Sequence, residues 1–186
     1  MGNTHGRATA ITVLTPLRRG WTLWLVPSFF VASRVPLVTA TLRKLSFIHF
    51  ARWSILGRIA HNGPPQGEDT LRYRYLFFES NFNGSWDAYI DAFSHIIPSR
   101  MRAVWGGAYG FPGPLPVSPF KDYIRRNEFV ADHYWSAYPE ASTTMVLSAL
   151  EVQERLRELV REAETLTPEQ FGAAYRHALT DLQRHL

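Results

Sequence analysis

The amino-acid sequence predicts an α+β fold built on a ferredoxin-like antiparallel sheet, and three observations carry that reading. Short β-branched and aromatic runs alternate with stretches whose apolar residues recur at helical spacing, in the order β-α-β-β-α-β. With 186 residues, 46% of them apolar and 14% aromatic, the chain has the material for one sizeable core. Its last part reads as two further amphipathic helices added behind that unit.

Ala10 to Leu17 is rich in β-branched residues and closes at Pro16 and Gly20, as a first strand ending in a turn would. Trp21 to Leu45 then reads as helical, divided by Pro27 and Pro36 into shorter pieces. Ser46 to Leu56 is the second strand, Arg58 to Leu71 with its Gly63-Pro64-Pro65 a loop, and Arg72 to Phe82 the third strand. Behind Ser85 as a cap, Trp86, Tyr89, Ile90, Phe93 and Ile97 mark a helix. Met101 to Trp105 reads as a fourth strand, and the Gly/Pro-rich run from Gly110 to Pro119 as a pocket lid. A short helix over Phe120 to Phe129 and a strand over Ala131 to Tyr138 follow. Helices over Ser142 to Glu164 and from Pro168, behind Thr167, to Leu186 complete the chain. Residues 10–186 thus read as a single domain behind a flexible tail, residues 1–9. Helices on one face of the sheet leave the other to be covered by an added strand, the C-terminal helices or a second copy. The last option gives a dimeric α+β barrel.

The formal charge of +4 comes from scattered arginines such as Arg18/Arg19 and Arg125/Arg126, without a basic helix or finger spacing. No nucleic-acid partner is therefore expected. The absence of cysteine excludes disulfides, thiolate metal sites and cysteine nucleophiles. Trp21 to Ala40 has the look of an export or anchor segment, but Pro27, Arg34 and Pro36 interrupt it and no cleavage site closes it. A cytoplasmic protein without membrane attachment is expected.

Polar residues inside apolar strands indicate chemistry, because burying them is costly unless they find partners. Phe47 to Trp53 contains His49 and Arg52, Tyr75 to Phe82 contains Glu79, Ser80 and Asn81, and His133 to Tyr138 repeats the pattern. His49 can exchange a proton near neutral pH. Arg52 can hold an oxyanion or pair with Glu79, and Asn81 can orient a carbonyl or close a turn. A bulge is needed for His49 and Arg52 to share a site, since three positions along a regular strand change faces. Trp53, Phe78, Trp86, Trp105, Tyr109, Tyr134 and Tyr138 supply rings suited to a flat apolar ligand, although each has an ordinary core or anchoring role open to it. No His-x-His pair, phosphate loop or Gly-x-Ser-x-Gly elbow is found.

The runs Ile-Thr-Val-Leu-Thr-Pro-Leu-Arg-Arg-Gly, His-Phe-Ala-Arg-Trp, Glu-Ser-Asn-Phe-Asn-Gly-Ser-Trp and Tyr-Trp-Ser-Ala-Tyr-Pro resemble an uncharacterised bacterial family of the dimeric α+β barrel superfamily. The likeness covers Ile11 to about Leu150. That superfamily includes antibiotic-biosynthesis monooxygenases and polyketide cyclases and, more remotely, haem enzymes of the chlorite dismutase and dye-decolorising peroxidase kinds. The resemblance implies the fold and, with it, a homodimer. The polar-lined aromatic pocket read from the residues leads us to expect an enzyme acting on an apolar aromatic or polyketide-type metabolite, as a cofactor-independent oxygenase or a cyclase. His49, Arg52 and Asn81 would do the chemistry and the seven rings would bind the substrate. A haem peroxidase, with His95 as the iron ligand, and a non-catalytic binding or docking module are the alternatives.

Overall fold

The computed structural model describes residues 3–35, 42 and 45–185. They form a four-stranded antiparallel sheet and six α-helices in two compact units, Met1–Glu140 and Ala141–Leu186. The boundary between the two units falls after Glu140.

In the first unit, β1 (Thr4–His5), β2 (Ala8–Leu17), β3 (Ile48–Leu56) and β4 (Arg74–Asn83) lie in the order β1-β2-β4-β3. Helix α1 (Thr22–Ala32) follows β2, and α2 (Trp86–Ile96), α3 (Pro98–Trp105) and α4 (Val117–Asn127) follow β4. The run β2-α1-β3-β4-α2, with β4 between β2 and β3, is compatible with a ferredoxin-like unit. The second helical piece expected behind Pro36 falls largely outside the described residues.

Strand alternation sorts the side chains. Ile11, Val13, Thr15 and Leu17 of β2, Leu76, Phe78, Ser80 and Phe82 of β4, and the half-buried Ala51, Trp53 and Ile55 of β3 share one face. That face joins Tyr89, Phe93, Met101, Trp105, Phe120 and Tyr123 of the helices in one core. Phe78 is its hub, with ring centroids at 5.1 Å from Trp53, 5.2 Å from Trp105 and 6.5 Å from Phe93. The opposite face, with Phe50, Arg52, Leu56, Tyr75, Phe77, Glu79 and Asn81, contributes nothing to this core.

The fourth strand expected over Met101 to Trp105 is helical. Pro98 occupies the first turn, and the buried residues Ile97, Met101 and Trp105 are spaced by four, a helical period that the β-like composition conceals. Ala131 to Tyr138 is not a strand either, because other segments take the free edge of β2. Ala10 N donates to Asn3 O at 2.7 Å, Phe129 N to Thr12 O at 2.8 Å and Tyr109 N to Pro16 O at 2.9 Å. Residues expected as a flexible tail are part of this arrangement. Beyond β1 itself, Asn3 Oδ1 accepts from Ala131 N at 2.7 Å and His5 Nδ1 from Ser136 N at 2.9 Å, which holds the 131–138 segment by side chains. The run expected to be a lid is packed, with the Phe111 ring 5.9 Å from Phe120 and 5.7 Å from Tyr123.

The second unit is a pair of helices, α5 (Thr143–Ala163) and α6 (Pro168–Asp181). Ser142 Oγ accepts from Met145 N at 3.1 Å, and Thr167 forms a reciprocal capping box with Gln170.

Truncating the hub should disturb the sheet and helices together. Phe78→Ala is expected to cost about 3–5 kcal/mol of stability, read as a lowered urea midpoint; a loss below about 1 kcal/mol, the ordinary range for surface substitutions, would contradict this role.

Candidate functional site

The expected catalytic residues do not gather in one hollow. His49 is the exposed extra residue of a β-bulge between Ile48 and Phe50. The bulge needed for His49 and Arg52 to share a site is thus present. Arg52 is bound to its cross-strand neighbour Glu79 on the outer face. Asn81 lies on that same face, paired in register with Phe50 and Ala10.

The expected ligand rings are divided among several places. Trp53, Phe78 and Trp105 pack in the core, where the indole N–H groups of Trp53 and Trp105 have no hydrogen-bond partner. Trp86 donates through Nε1 to Glu128 Oε2 at 2.9 Å and lies under the Arg125 guanidinium, 4.6 Å from its ring centroid. Tyr134 is half-buried, which raises its pKa, and Tyr138 is exposed. His95, the residue considered for haem, is exposed on α2, and its Nδ1–H donates to the Asp91 carbonyl at 2.8 Å. A haem held there would stand in solvent, so the residues present do not fit that group. Among the described residues no group of three or more His, Asp or Glu is placed to hold a metal ion.

Tyr109 leads to a different site. Its ring packs edge-on against Tyr73, with centroids 5.2 Å apart. The Arg18 guanidinium lies 5.9 Å from the Tyr109 centroid and that of Arg72 lies 5.4 Å from Tyr73. Beside this pair opens a cleft of about 460 Å³. Arg18, Arg19, Arg72 and Arg74 line it, together with Thr22 and Tyr73.

Local structure explains the convergence. Antiparallel pairing sets Leu17 opposite Arg74, so the end of β2 and the start of β4 meet at one edge. Gly20, at φ +83°, turns the chain from β2 into α1 and leaves Arg18 and Arg19 on the cleft wall. Behind them Gly107 O accepts from Arg18 N at 2.8 Å. A Cβ on Gly107 would fall 2.0 Å from the Trp21 ring, so only glycine permits this approach. Arg74 Nη1 donates to the buried Thr22 hydroxyl at 3.1 Å.

Electrostatics gives the cleft its meaning. Among the described residues none of these four arginines lies within 4.0 Å of a carboxylate, whereas Arg52, Arg125 and Lys121 all find one. Four cations gathered beside the positive end of α1 repel one another unless an anion joins them. Planar guanidinium forks bind carboxylate or phosphate oxygens in pairs.

A larger groove of about 1100 Å³ lies on the second unit, lined by Met145, Val152, Leu156 and Val160 among others. Arg157 and Arg161 beside it pair with Glu154, each at 3.7 Å, and His185 Nδ1 lies 3.3 Å from Ser148 Oγ. It is the apolar face of a helical hairpin on which Arg157 and Arg161 are neutralised.

The cleft residues were missed because Arg-Arg-Gly at Arg18 to Gly20 and Arg-Tyr-Arg at Arg72 to Arg74 look like scattered charge. Their signal was the strand order. In a ferredoxin-like unit the first strand neighbours the third, which brings the two tripeptides together.

Glu128 supplies a test of the fold around Trp86. Burial raises its pKa, against the opposing influence of the Trp86 hydrogen bond. The folded chain then holds that proton more tightly than the unfolded chain, so stability falls as pH rises through the carboxylate range. Glu128→Gln keeps an acceptor for Trp86 and removes this loss. Its thermal midpoint should gain on the wild type from acid to neutral pH; a difference independent of pH would contradict the assignment. Comparisons with protein-family models, with curated proteins and with solved structures find no match to this chain.

Proposed function

We propose that the first unit binds a small amphiphile, a carboxylate or phosphate group on an apolar or aromatic body. One observation carries this reading: four arginines that have no carboxylate partner among the described residues line a single cleft. Arg18 and Arg72 are held near the Tyr73 and Tyr109 rings, and Arg74 by Thr22, so part of the ordering cost of binding is met before the ligand arrives. Leu17, Leu23 and Leu71 on the same wall offer an apolar surface to the rest of the molecule. This keeps the apolar aromatic ligand class expected from the sequence and adds an anionic handle. Titration with benzoate or inorganic phosphate should give saturable binding that weakens with salt. Arg18→Ala/Arg74→Ala is expected to lower affinity by about tenfold or more, since each charge-assisted hydrogen bond contributes about 1.5–3 kcal/mol. Equal affinity in the variant would refute the site.

A second reading rests on the sheet face outside the core. A second copy stacked on Phe50, Leu56, Tyr75 and Phe77 would give the dimeric α+β barrel and enclose Arg52 and Asn81 between the sheets. There a cofactor-independent oxygenase or cyclase would use His49 to move a proton, with Arg52 and Asn81 stabilising the oxyanion of an aromatic or polyketide-type substrate. Sedimentation equilibrium should then show a dimer that Phe77→Asp converts to a monomer. A wild-type chain that stays monomeric at micromolar concentration removes this reading.

A further inference from the structure

Helix α1 is unusual in being apolar on every side. No charged residue occurs between Arg19 and Arg34. Leu25 is fully buried and Phe29 packs on the core. The indole N–H groups of Trp21 and Trp24 donate to the carbonyls of Val104 and Ala103 at 3.4 and 3.1 Å, so the helix is held in one orientation against α3. Its other side shows Leu23, Val26 and Phe30, spaced by three and four, flanked by Trp24 and Val31. Leu23 is 81% exposed and the other four are each more than half exposed. Helices apolar all round are ordinarily buried, in a core or in lipid.

Cations bracket this exposed strip. Arg18 and Arg19 precede the helix, and Arg72 and Arg74 face them across the cleft. At the other end the Arg34 guanidinium lies 3.5 Å from the Phe30 ring centroid. Leu23 lines the cleft and also belongs to the strip, so the cationic and apolar surfaces are continuous.

We infer that this surface docks on an anionic membrane, with a lipid phosphate in the arginine cleft and the Leu23, Val26 and Phe30 side chains among the upper acyl-chain segments. The inference rests on the reading of the cleft as an anion site and names the source of its ligand. Among the described residues no helix is long and apolar enough to cross a membrane. An eleven-residue helix, about 16 Å long, instead lies along the interface. Reversible attachment of this kind draws on two signals, apolar insertion and basic residues facing anionic headgroups, and both are present. Trp24 at the edge of the strip suits the headgroup level, where tryptophan collects.

The 186-residue chain is sedimented with phosphatidylcholine vesicles, with and without phosphatidylserine, and is separately titrated with inorganic phosphate. Binding to the anionic vesicles should exceed that to the neutral ones by about tenfold or more, as several basic residues at a charged surface require. Val26→Ser/Phe30→Ser, at exposed positions away from the cleft, should lose vesicle binding and keep phosphate binding. Arg18→Ala/Arg74→Ala should lose both. Phosphate binding without preference for anionic vesicles would overturn the membrane assignment and leave the anion site standing; loss of both activities in the wild type would overturn both. Self-association without vesicles that Val26→Ser/Phe30→Ser abolishes, together with no vesicle binding, would assign the strip to a second copy of the chain and also overturn the proposal.

Discussion

The first unit depends on the alternation of side chains along β4 around Phe78. Leu76, Phe78, Ser80 and Phe82 point to the helices, while Tyr75, Phe77, Glu79 and Asn81 point the other way. A shift of one residue would send every one of them to the opposite face. Phe78, in contact with rings from a strand and two helices, makes that shift prohibitive. The same alternation places Arg52 and Asn81 together outside the core, away from the indoles of Trp53 and Trp105.

The hub also governs the charged cleft at the end of the sheet. With β4 locked in register, Leu17 must face Arg74, and the arginines on either side of that pair must approach one another. The protein treats its cations in two ways. Arg52 is neutralised by Glu79 across two strands, and Lys121 by Asp87 at 3.0 Å and Asp91 at 2.8 Å, a contact that raises the lysine pKa. The cleft arginines are steadied by tyrosine rings and by Thr22, groups that orient a guanidinium without cancelling its charge. Such an arrangement costs folding energy through mutual repulsion, a cost that a bound anion would offset.

Much of the architecture was legible in the chain. Ser85 caps the helix it was expected to cap, Pro168 opens the last helix behind Thr167, and the Arg52–Glu79 pair follows from two strands becoming neighbours. Met101 to Trp105 misled because valine and tryptophan favour strands, while the burial of every fourth residue needs neighbours that the chain does not name. Ala131 to Tyr138 has strand composition but no ladder, since Asn3, Phe129 and Tyr109 already occupy the edge it would have joined.

Residue order alone thus settled what depends on near neighbours: the strand and helix periods, the caps and the turn at Gly20. Folding settled what depends on distant ones. The His49 bulge, the division after Glu140, the pairing of Trp86 with Glu128 and the meeting of Arg18 and Arg19 with Arg72 and Arg74 all join segments far apart in the chain. An arginine carries the same fork wherever it stands, and its partners are known only once strand register has placed them.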